Sequence, residues 1–192
     1  MANRLSELES YTIRRKVLKL FGASFHVLDS MGDIVAFSSQ KAFKLREDIR
    51  VFSDETMTEE LLSIQARQIV DFAAAYDVLD SAGGVKIGAA RRRGLRSILR
   101  DSWELLDPDD QPIAGIEEDS ATLAILRRFL TGLIPQTFLV RGAGGELQAT
   151  CKVHFNPFIH RMTVTLAPGC ELDRRLVFAA SVLLCAIEGR QQ

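Results

Sequence analysis

The residues most able to do chemistry in this sequence form a basic segment followed by an acidic one. Residues 86–100 contain six cationic residues and no acid, and residues 101–119 contain eight acids and no cationic residue. The six cationic residues are Lys86, Arg91, Arg92, Arg93, Arg96 and Arg100. A guanidinium group can donate two hydrogen bonds at once to a phosphate. The arginines within 91–96 are therefore the candidate ligands of an anion site, for a lipid head group or another phosphate.

A second interpretation of the same two segments requires no ligand. If they are neighbours in the fold, their charges pair across a hairpin and give a charge-balanced surface. The sequence leaves both interpretations open.

No other group of residues points to catalysis. His26, His154 and His160 show no zinc spacing with cysteine or glutamate, and we expect them to be solvent-facing strand residues. Cys151 and Cys185 lie on apolar faces, and we expect them to be small core residues. We therefore expect a protein that is not an enzyme and that uses neither a cofactor nor a metal ion.

Three short segments resemble ligand loops but fail the test of context. Residues 83–88 lack the Gly-Lys-Ser/Thr ending of a phosphate loop, and residues 142–145 are not followed by a helical pattern. Residues 107–112 have Gln111 and Pro112 where a calcium loop needs Asn or Asp and then Gly. All three are expected to be hairpin turns.

Length and composition limit the class of protein. The 192 residues suit one domain, and the formal net charge of −1 argues against a generally basic nucleic-acid binder, so we expect no nucleic acid partner. Three scattered cysteines and a polar, charged N-terminus favour reduced thiols and a cytoplasmic location, with a peripheral membrane association as an option. No stretch approaches the roughly 20 apolar residues that a membrane span needs, so we expect none.

Alternation of apolar and polar residues is the strongest structural signal. It is clearest in residues 43–51, 147–155 and 160–166, where one face of each segment is apolar. Weaker alternation occurs at 12–20, 25–28, 34–38, 61–69, 74–79, 85–90, 98–106, 113–117 and 137–141. Turn sequences join these segments, and residues 28–34 resemble 79–85 in having Asp early and Gly late. The pattern predicts about 12 antiparallel strands joined by hairpins.

Two segments have helical spacing instead. Residues 121–134 predict an amphipathic helix that ends before Pro135. Residues 176–187 are apolar all round, follow Asp173, Arg174 and Arg175, and precede Gly189, so they predict a helix that is surrounded on every side. A barrel of about 12 strands is too wide for its own side chains to fill, and this helix along its axis would fill it. The sequence therefore predicts a mainly β fold, a closed antiparallel barrel around a buried C-terminal helix, with one extra amphipathic helix.

This order of elements resembles the tubby-like C-terminal superfamily, which includes tubby proteins, phospholipid scramblases and LURP-one-related proteins. The closest resemblance is to bacterial LURP-one-related proteins. It is carried by residues 41–48 (KAFKLRED), 76–80 (YDVLD), 97–103 (SILRDSW) with Leu106 and Asp107, and the helix at 173–188. The resemblance spans about residues 11–189 and implies a 12-stranded barrel around a central helix.

The resemblance also carries expectations about function. Tubby domains bind phosphoinositide head groups, and scramblases are associated with lipid movement and calcium. The two carboxylates in residues 167–173 fall short of the six to eight oxygens that calcium takes, and the apolar helix is too short to span a bilayer, so scrambling is the less favoured expectation.

The sequence thus predicts an N-terminal polar arm at 1–10 and a single barrel domain at 11–189. The expected function is non-enzymatic binding of anionic lipid head groups, phosphoinositides included, or of phosphorylated ligands at a membrane surface. The alternative is a protein-interaction or structural domain without a small ligand, for which the 121–134 helix is a candidate contact.

Overall fold

The computed structural model describes residues 3–18, 22–40, 48–67, 75–93, 102–119, 136–154 and 160–187. These residues contain 12 strands and two helices. The helices are α1 (Asn3–Glu7) and α2 (Arg174–Ile187). The first six strands are β1 (Ser10–Leu18), β2 (Gly22–Leu28), β3 (Ile34–Gln40), β4 (Asp48–Phe52), β5 (Glu60–Ala66) and β6 (Ala75–Asp80). The other six are β7 (Val85–Arg92), β8 (Ser102–Leu106), β9 (Pro112–Glu118), β10 (Thr137–Gly142), β11 (Leu147–His154) and β12 (His160–Leu166).

The strands form one closed antiparallel barrel. Each strand pairs with its neighbours in the chain, and β1 closes the barrel by pairing with β12, with Tyr11 opposite Val164 and Ile13 opposite Met162. Closure leaves no unpaired sheet edge. The predicted fold class, a mainly β barrel of about 12 strands around a C-terminal helix, is confirmed.

The strand alternation places one set of side chains inside the barrel, where α2 completes the core. Eleven consecutive residues of α2, from Leu176 to Ala186, are buried. Asp173 begins the helix as its N-cap, since its side chain accepts a hydrogen bond from the backbone N–H of Arg175 at 2.9 Å. The all-round apolar sequence of this segment is explained by a barrel wall on every side.

Specific contacts fix α2 within the barrel. The hydroxyl groups of Tyr11 and Ser181, both buried, are 3.1 Å apart, and Ser181 donates to the carbonyl of Phe178. At the start of the helix, Arg175 donates to Asp80 at the end of β6 at 2.7 Å. These polar contacts set the position of a helix whose remaining surface is apolar.

The N-terminal segment contributes to the same core. Within residues 1–10, α1 places Leu5 in the core cluster, where its exposed fraction is 2%, and α1 packs against α2. The polar composition of this segment gave no indication of such a helix.

Six short connections between successive elements lie at one end of the barrel, which we call the turn end. They are residues 29–33, 53–59, 81–84, 107–111, 143–146 and 167–173. The predicted turn chemistry is confirmed in them. The Asp29 carboxylate accepts from the backbone N–H groups of Met31 and Asp33, and Gly32 has a φ of 91°. Residues 107–111 contain no glycine, and there Asp110 takes the left-handed conformation with a φ of 64°.

The turn end is strongly acidic. Its six connections contain eleven acidic residues and no basic residue. The acids are Asp29, Asp33, Asp54, Glu55, Glu59, Asp107, Asp109, Asp110, Glu146, Glu171 and Asp173. Because the whole chain has a net charge of −1, the rest of the sequence carries a matching positive excess.

Some predictions lie outside the described residues. These include the amphipathic helix at 121–134, the first parts of the strands predicted at 43–51 and 98–106, and Arg96 and Arg100.

Candidate functional site: a basic wall on the barrel

The predicted arginine cluster is divided between two faces of the barrel. Arg91 and Arg93 lie on the outer face, and both donate to the carboxylate of Glu104, which faces them from β8. The shortest N–O distances are 2.7 Å for Arg91 and 2.8 Å for Arg93. Arg92 is opposite Trp103, a core residue, so cross-strand pairing directs Arg92 toward the interior.

The Glu104 carboxylate is held in its charged form by this pairing. Burial acts to raise the pKa of Glu104, but the hydrogen bonds and positive charges of Arg91 and Arg93 outweigh burial, and the pKa lies below its usual 4.5. A carboxylate that engages two guanidinium groups reduces their capacity to bind an added anion.

Further ion pairs continue this pattern along the β5 to β9 region. Lys86 donates to Asp110 at 2.7 Å, and Arg67 donates to Asp77 at 2.6 Å. Arg67 also contacts Asp110. The hydrogen bonds from Arg67 and Lys86 lower the pKa of Asp110 to about 2. Among the described residues, Lys86, Arg91 and Arg93 therefore pair with acids of segment 101–119, as the hairpin interpretation predicts.

A different basic surface lies on the four strands around the barrel closure. In spatial order, β11, β12, β1 and β2 are neighbours, and their sequences contain no acidic residue. Four cationic side chains point outward from three of these strands, and we call them the basic wall: Arg14, Lys16, Lys152 and Arg161. Lys16, Lys152 and Arg161 are exposed, and Arg14 is half-buried.

The register places the charges of the basic wall side by side. Arg14 is directly opposite Arg161, and the same lateral row continues to His154 on one side and His26 on the other. Directly opposite side chains of an antiparallel pair have Cβ atoms about 4.5–5.5 Å apart, and like charges at that separation repel. The register therefore places two arginine residues opposite each other, a pairing that repulsion between like charges disfavours.

The basic wall also differs from the arginine cluster in its pairing. None of its four cations forms an ion pair with an acid in the described part of the chain, whereas Arg91 and Arg93 both do. At the His26 end of the row, Glu55 contacts the His26 ring at 2.5 Å. The basic wall thus carries more uncompensated positive charge than the described part of the arginine cluster at 91–93.

Hydroxyl and imidazole groups lie among these cations. The Thr12 and Thr163 hydroxyl groups are 3.2 Å apart, and His154 Nε2 is 2.9 Å from the Thr163 hydroxyl. Serine, threonine and histidine side chains join arginine and lysine as common donors to phosphate oxygens. The wall therefore combines positive charge with neutral donors on a surface of regular strands.

The histidines are placed differently from the prediction in one case. His26 and His154 face outward as expected, but His160 is opposite Arg15 on the inner face, and its Nδ1 atom is buried. That part of the prediction is wrong, because the alternation of β12 puts His160 in phase with the core residues Met162 and Val164.

The buried cysteines have no nucleophilic role. Cys151 and Cys185 are core residues, as predicted, and burial raises the pKa of the Cys151 thiol to about 12. Burial likewise raises the pKa of Cys185 far above its usual value. Both thiols stay protonated near neutral pH, so neither supplies a thiolate.

Sequence reasoning missed the basic wall because its parts are distant along the chain. Arg14 and Arg161 are separated by nearly the whole domain and become neighbours only when the first strand pairs with the last. The signal was present in the polar positions of the strands predicted at 12–20, 147–155 and 160–166, which hold cations and no acid. Combining those positions with the predicted closure would have located the wall.

Comparison of the chain with protein-family models, with curated proteins and with solved structures finds no match in any of the three. Among the described residues, neither helix combines the length and the apolar character needed to cross a membrane.

Proposed function

We propose that this protein is a non-enzymatic binding module that attaches reversibly to anionic phospholipid surfaces through the basic wall. The observation that carries the proposal is the uncompensated charge of Arg14, Lys16, Lys152 and Arg161 on adjacent strands without an acid. The resemblance to the tubby-like C-terminal superfamily is in agreement with a lipid-binding role, and membership of that superfamily stays a prediction.

The chemistry of the wall suits phosphate groups at a bilayer surface. Guanidinium groups form paired hydrogen bonds to phosphate oxygens, and lysine adds a mobile point charge. The threonine hydroxyl groups between them are neutral donors. The outer face of these strands presents several such donors side by side, and they can contact phosphate groups without a deep pocket.

The number of cations sets the strength of the interaction. A lysine or arginine near an anionic membrane contributes about 1 kcal/mol, so four contribute about 4 kcal/mol. That is weak, reversible binding, with a dissociation constant near the millimolar range for accessible lipid. Because the interaction is electrostatic and exposed, salt weakens it.

The acidic turn end gives the bound protein an orientation. Its eleven acids are repelled by an anionic surface, while the wall is attracted to it. We expect the barrel to lie with β12 and β1 toward the lipid and with the turn connections directed away.

Nucleic acid is the less favoured anionic partner. The large exposed apolar side chains in the described residues are Met31, Ile34, Met57, Val85 and Leu147, and none is aromatic. Stacking of bases on exposed aromatic rings, the usual source of affinity for single strands, therefore has no support in this part of the chain.

Vesicle flotation tests the proposal. The protein is mixed with neutral phosphatidylcholine vesicles, with vesicles that contain phosphatidylserine, and with vesicles that contain a phosphoinositide, each at low and physiological salt. We expect flotation only with the anionic vesicles, and less of it at physiological salt. Absence of flotation at low salt would overturn the proposal. Fluorescence anisotropy with a labelled DNA duplex is run in parallel, and tighter binding to DNA than to vesicles would also contradict it.

A further inference from the structure

The exposed large apolar side chains of the described residues all lie at the turn end. They are Met31, Ile34, Met57, Val85 and Leu147. Each belongs to one of the six turn connections or is the first residue after one. A single exposed apolar residue is ordinary on a protein surface, whereas a collection of them at one end of a barrel is typical of a surface that contacts another molecule.

Four of these side chains lie on three consecutive hairpins. The hairpins β2–β3, β4–β5 and β6–β7 follow one another around the barrel. Neighbouring strands are about 4.8 Å apart, so the turns of consecutive hairpins are about 10 Å apart and the three turns span about 20 Å. We call the four side chains the apolar edge: Met31, Ile34, Met57 and Val85. Leu147 follows the turn of the hairpin β10–β11 and lies outside the apolar edge.

The connection that contains Met57 extends toward the hairpin that contains Met31. Glu55, two residues before Met57, contacts the His26 ring on β2. The same ring packs edge-on against Phe37 of β3, with the ring centres 5.1 Å apart. The β4–β5 connection therefore reaches across β3 to β2, which brings it beside the turn of the hairpin β2–β3.

The backbone conformation of Met57 is unfavourable for the residue that occupies it. Its φ is 54°, in the left-handed region, where glycine is accommodated at the least cost. Because 47% of the residue is exposed, burial within the chain offsets only part of this cost. A methionine at this position is explained if its flexible side chain packs against a partner.

The charge around the apolar edge determines which partner fits it. The connections 29–33, 53–59 and 81–84 contain five acidic residues and no basic residue. Asp33 and Asp54 are exposed, and neither forms an ion pair with another residue of the described ranges. A partner that offers positive charge beside its apolar side chains matches this surface, and an acidic partner is repelled.

We propose that the apolar edge is a docking surface for a basic amphipathic segment of another protein, in which lysine or arginine accompanies apolar side chains. The exposed apolar residues locate the surface, and the acids select the charge of the partner. A helix of about 14 residues is about 21 Å long, which equals the span of the three turns. The apolar edge is separate from the basic wall, so the proposal does not depend on lipid binding.

NMR of the methionine methyl groups tests the docking surface on the wild-type protein. Met31 and Met57 report on the apolar edge, and Met162, which is 1% exposed in the core, is the internal reference. The probe is a peptide of about 14 leucine and lysine residues, arranged as an amphipathic helix. We expect saturable shifts of Met31 and Met57 while Met162 is unchanged. Unchanged signals of Met31 and Met57 would overturn the proposal.

Two control peptides separate the contributions of charge and apolar contact. One has glutamate in place of every lysine, and the other has serine in place of every leucine. Because docking requires both features, we expect neither control to shift the methyl signals of Met31 and Met57 as the probe does. Equal shifts with the serine peptide would show that charge alone is recognised, which contradicts docking on the apolar edge.

Three variants of unchanged charge locate the contact. Met31→Ser and Met57→Gly each remove an apolar side chain from the apolar edge, and Leu147→Ser is the matched control elsewhere on the turn end. We expect each variant of the apolar edge to raise the dissociation constant of the probe peptide about tenfold, from the loss of buried apolar area. Leu147→Ser should stay within about twofold of the wild type. Fluorescence anisotropy of the labelled peptide measures these constants, and equal losses in the three variants would overturn the proposal.

The stability of Met57→Gly separates a docking role from a structural one. Glycine adopts a φ of 54° without strain, so we expect this variant to be at least as stable as the wild type in urea, although it binds the peptide more weakly. A clear loss of stability would show that the Met57 side chain serves the fold and would contradict its role in docking.

Two double variants of equal charge test the acids. Asp33→Asn/Asp54→Asn neutralises two acids beside the apolar edge, and Glu117→Gln/Asp119→Asn neutralises two exposed acids at the opposite end of the barrel. At low salt we expect the first pair to weaken binding of the peptide about fivefold and the second to leave it within about twofold. Equal effects of the two pairs would show attraction to the net charge alone and would contradict a defined surface.

A second copy of this chain is the other candidate occupant, and the same NMR signals detect it. The protein is diluted in the absence of peptide, and the methyl signals of Met31 and Met57 are followed. We expect them to be independent of protein concentration. Shifts that depend on concentration would assign the apolar edge to self-association and would overturn the proposal.

Discussion

Arg14 on β1 lies directly opposite Arg161 on β12, across the strand pair that closes the barrel. No acid from the described residues is paired with either side chain, and Lys16 on β1 and Lys152 on β11 extend the charge. Two like charges in this position oppose closure of the barrel. Retaining them is understandable if the charge serves binding.

We expect removal of one of these charges to stabilise the protein. Arg161→Thr relieves the repulsion with Arg14 and should raise the free energy of unfolding by about 0.2–1 kcal/mol, more at low salt than at high salt. The matched control is Lys152→Thr, because Lys152 is opposite Thr137 and Thr163. Urea unfolding at two salt concentrations measures both variants. If Arg161→Thr is less stable than Lys152→Thr, repulsion between Arg14 and Arg161 does not destabilise the fold.

A second prediction concerns the contact between the wall of the barrel and α2. A Cβ atom at Gly88 would lie 2.3 Å from the Leu106 carbonyl oxygen and 3.0 Å from Leu176 Cδ2. We expect Gly88→Ala to lower the free energy of unfolding by about 1–3 kcal/mol, since backbone and helix must both move. At Gly115 the nearest atom is 3.9 Å away, so Gly115→Ala should be neutral or slightly stabilising. Similar urea midpoints for the two variants would contradict the close packing of α2 at Gly88.

The buried hydroxyl pair of Tyr11 and Ser181 gives a third prediction. Ser181→Ala leaves the Tyr11 hydroxyl without its partner and should cost about 1–3 kcal/mol, whereas the additional change Tyr11→Phe should recover much of that loss. Urea unfolding of the single and double variants measures the recovery. If the double variant is less stable than Ser181→Ala alone, the pair does not behave as a mutually satisfied one.

A fourth prediction follows from Glu104, whose pKa is lowered in the folded protein. A carboxyl with a lowered folded pKa stabilises the fold above its unfolded pKa of about 4.5, and the stabilisation disappears as the pH falls through the folded value. Glu104→Gln removes this term, which for a partly exposed pair is up to about 1 kcal/mol. Between pH 6 and pH 3 the wild type should therefore lose more stability than the variant. Parallel pH profiles would show that Arg91 and Arg93 do not hold the Glu104 charge.

Much of this fold was predictable from local pattern. Each of the 12 segments with alternating residues overlaps an observed strand, because one buried face and one exposed face produce that period wherever a sheet covers a core. The apolar run at 176–187 predicted a surrounded helix, and in α2 the residues from Leu176 to Ala186 are all buried. Closure followed from the need to enclose this helix.

The candidate site was less predictable, because it depends on pairing between distant segments. Local charge density favoured Arg91 and Arg93, but Glu104 on the next strand engages both. The cations Arg14 and Arg161 form no local cluster in the sequence, and they become neighbours only when β1 pairs with β12. Charges within one hairpin are readily paired with charges on the neighbouring strand of the same hairpin. A charged surface on β1 and β12 is formed by two segments that are far apart in the sequence.

The most direct test of the account is vesicle flotation with two double variants of equal charge. Arg14→Thr/Arg161→Thr removes two cations from the basic wall, and Arg91→Thr/Arg93→Thr removes two from the hairpin. With phosphatidylserine vesicles at low salt, we expect the wall variant to partition about 30-fold more weakly than the wild type, from about 1 kcal/mol per cation. The hairpin variant should stay within about twofold of the wild type. Equal losses in the two variants, or a larger loss in the hairpin variant, would contradict the assignment of binding to the basic wall.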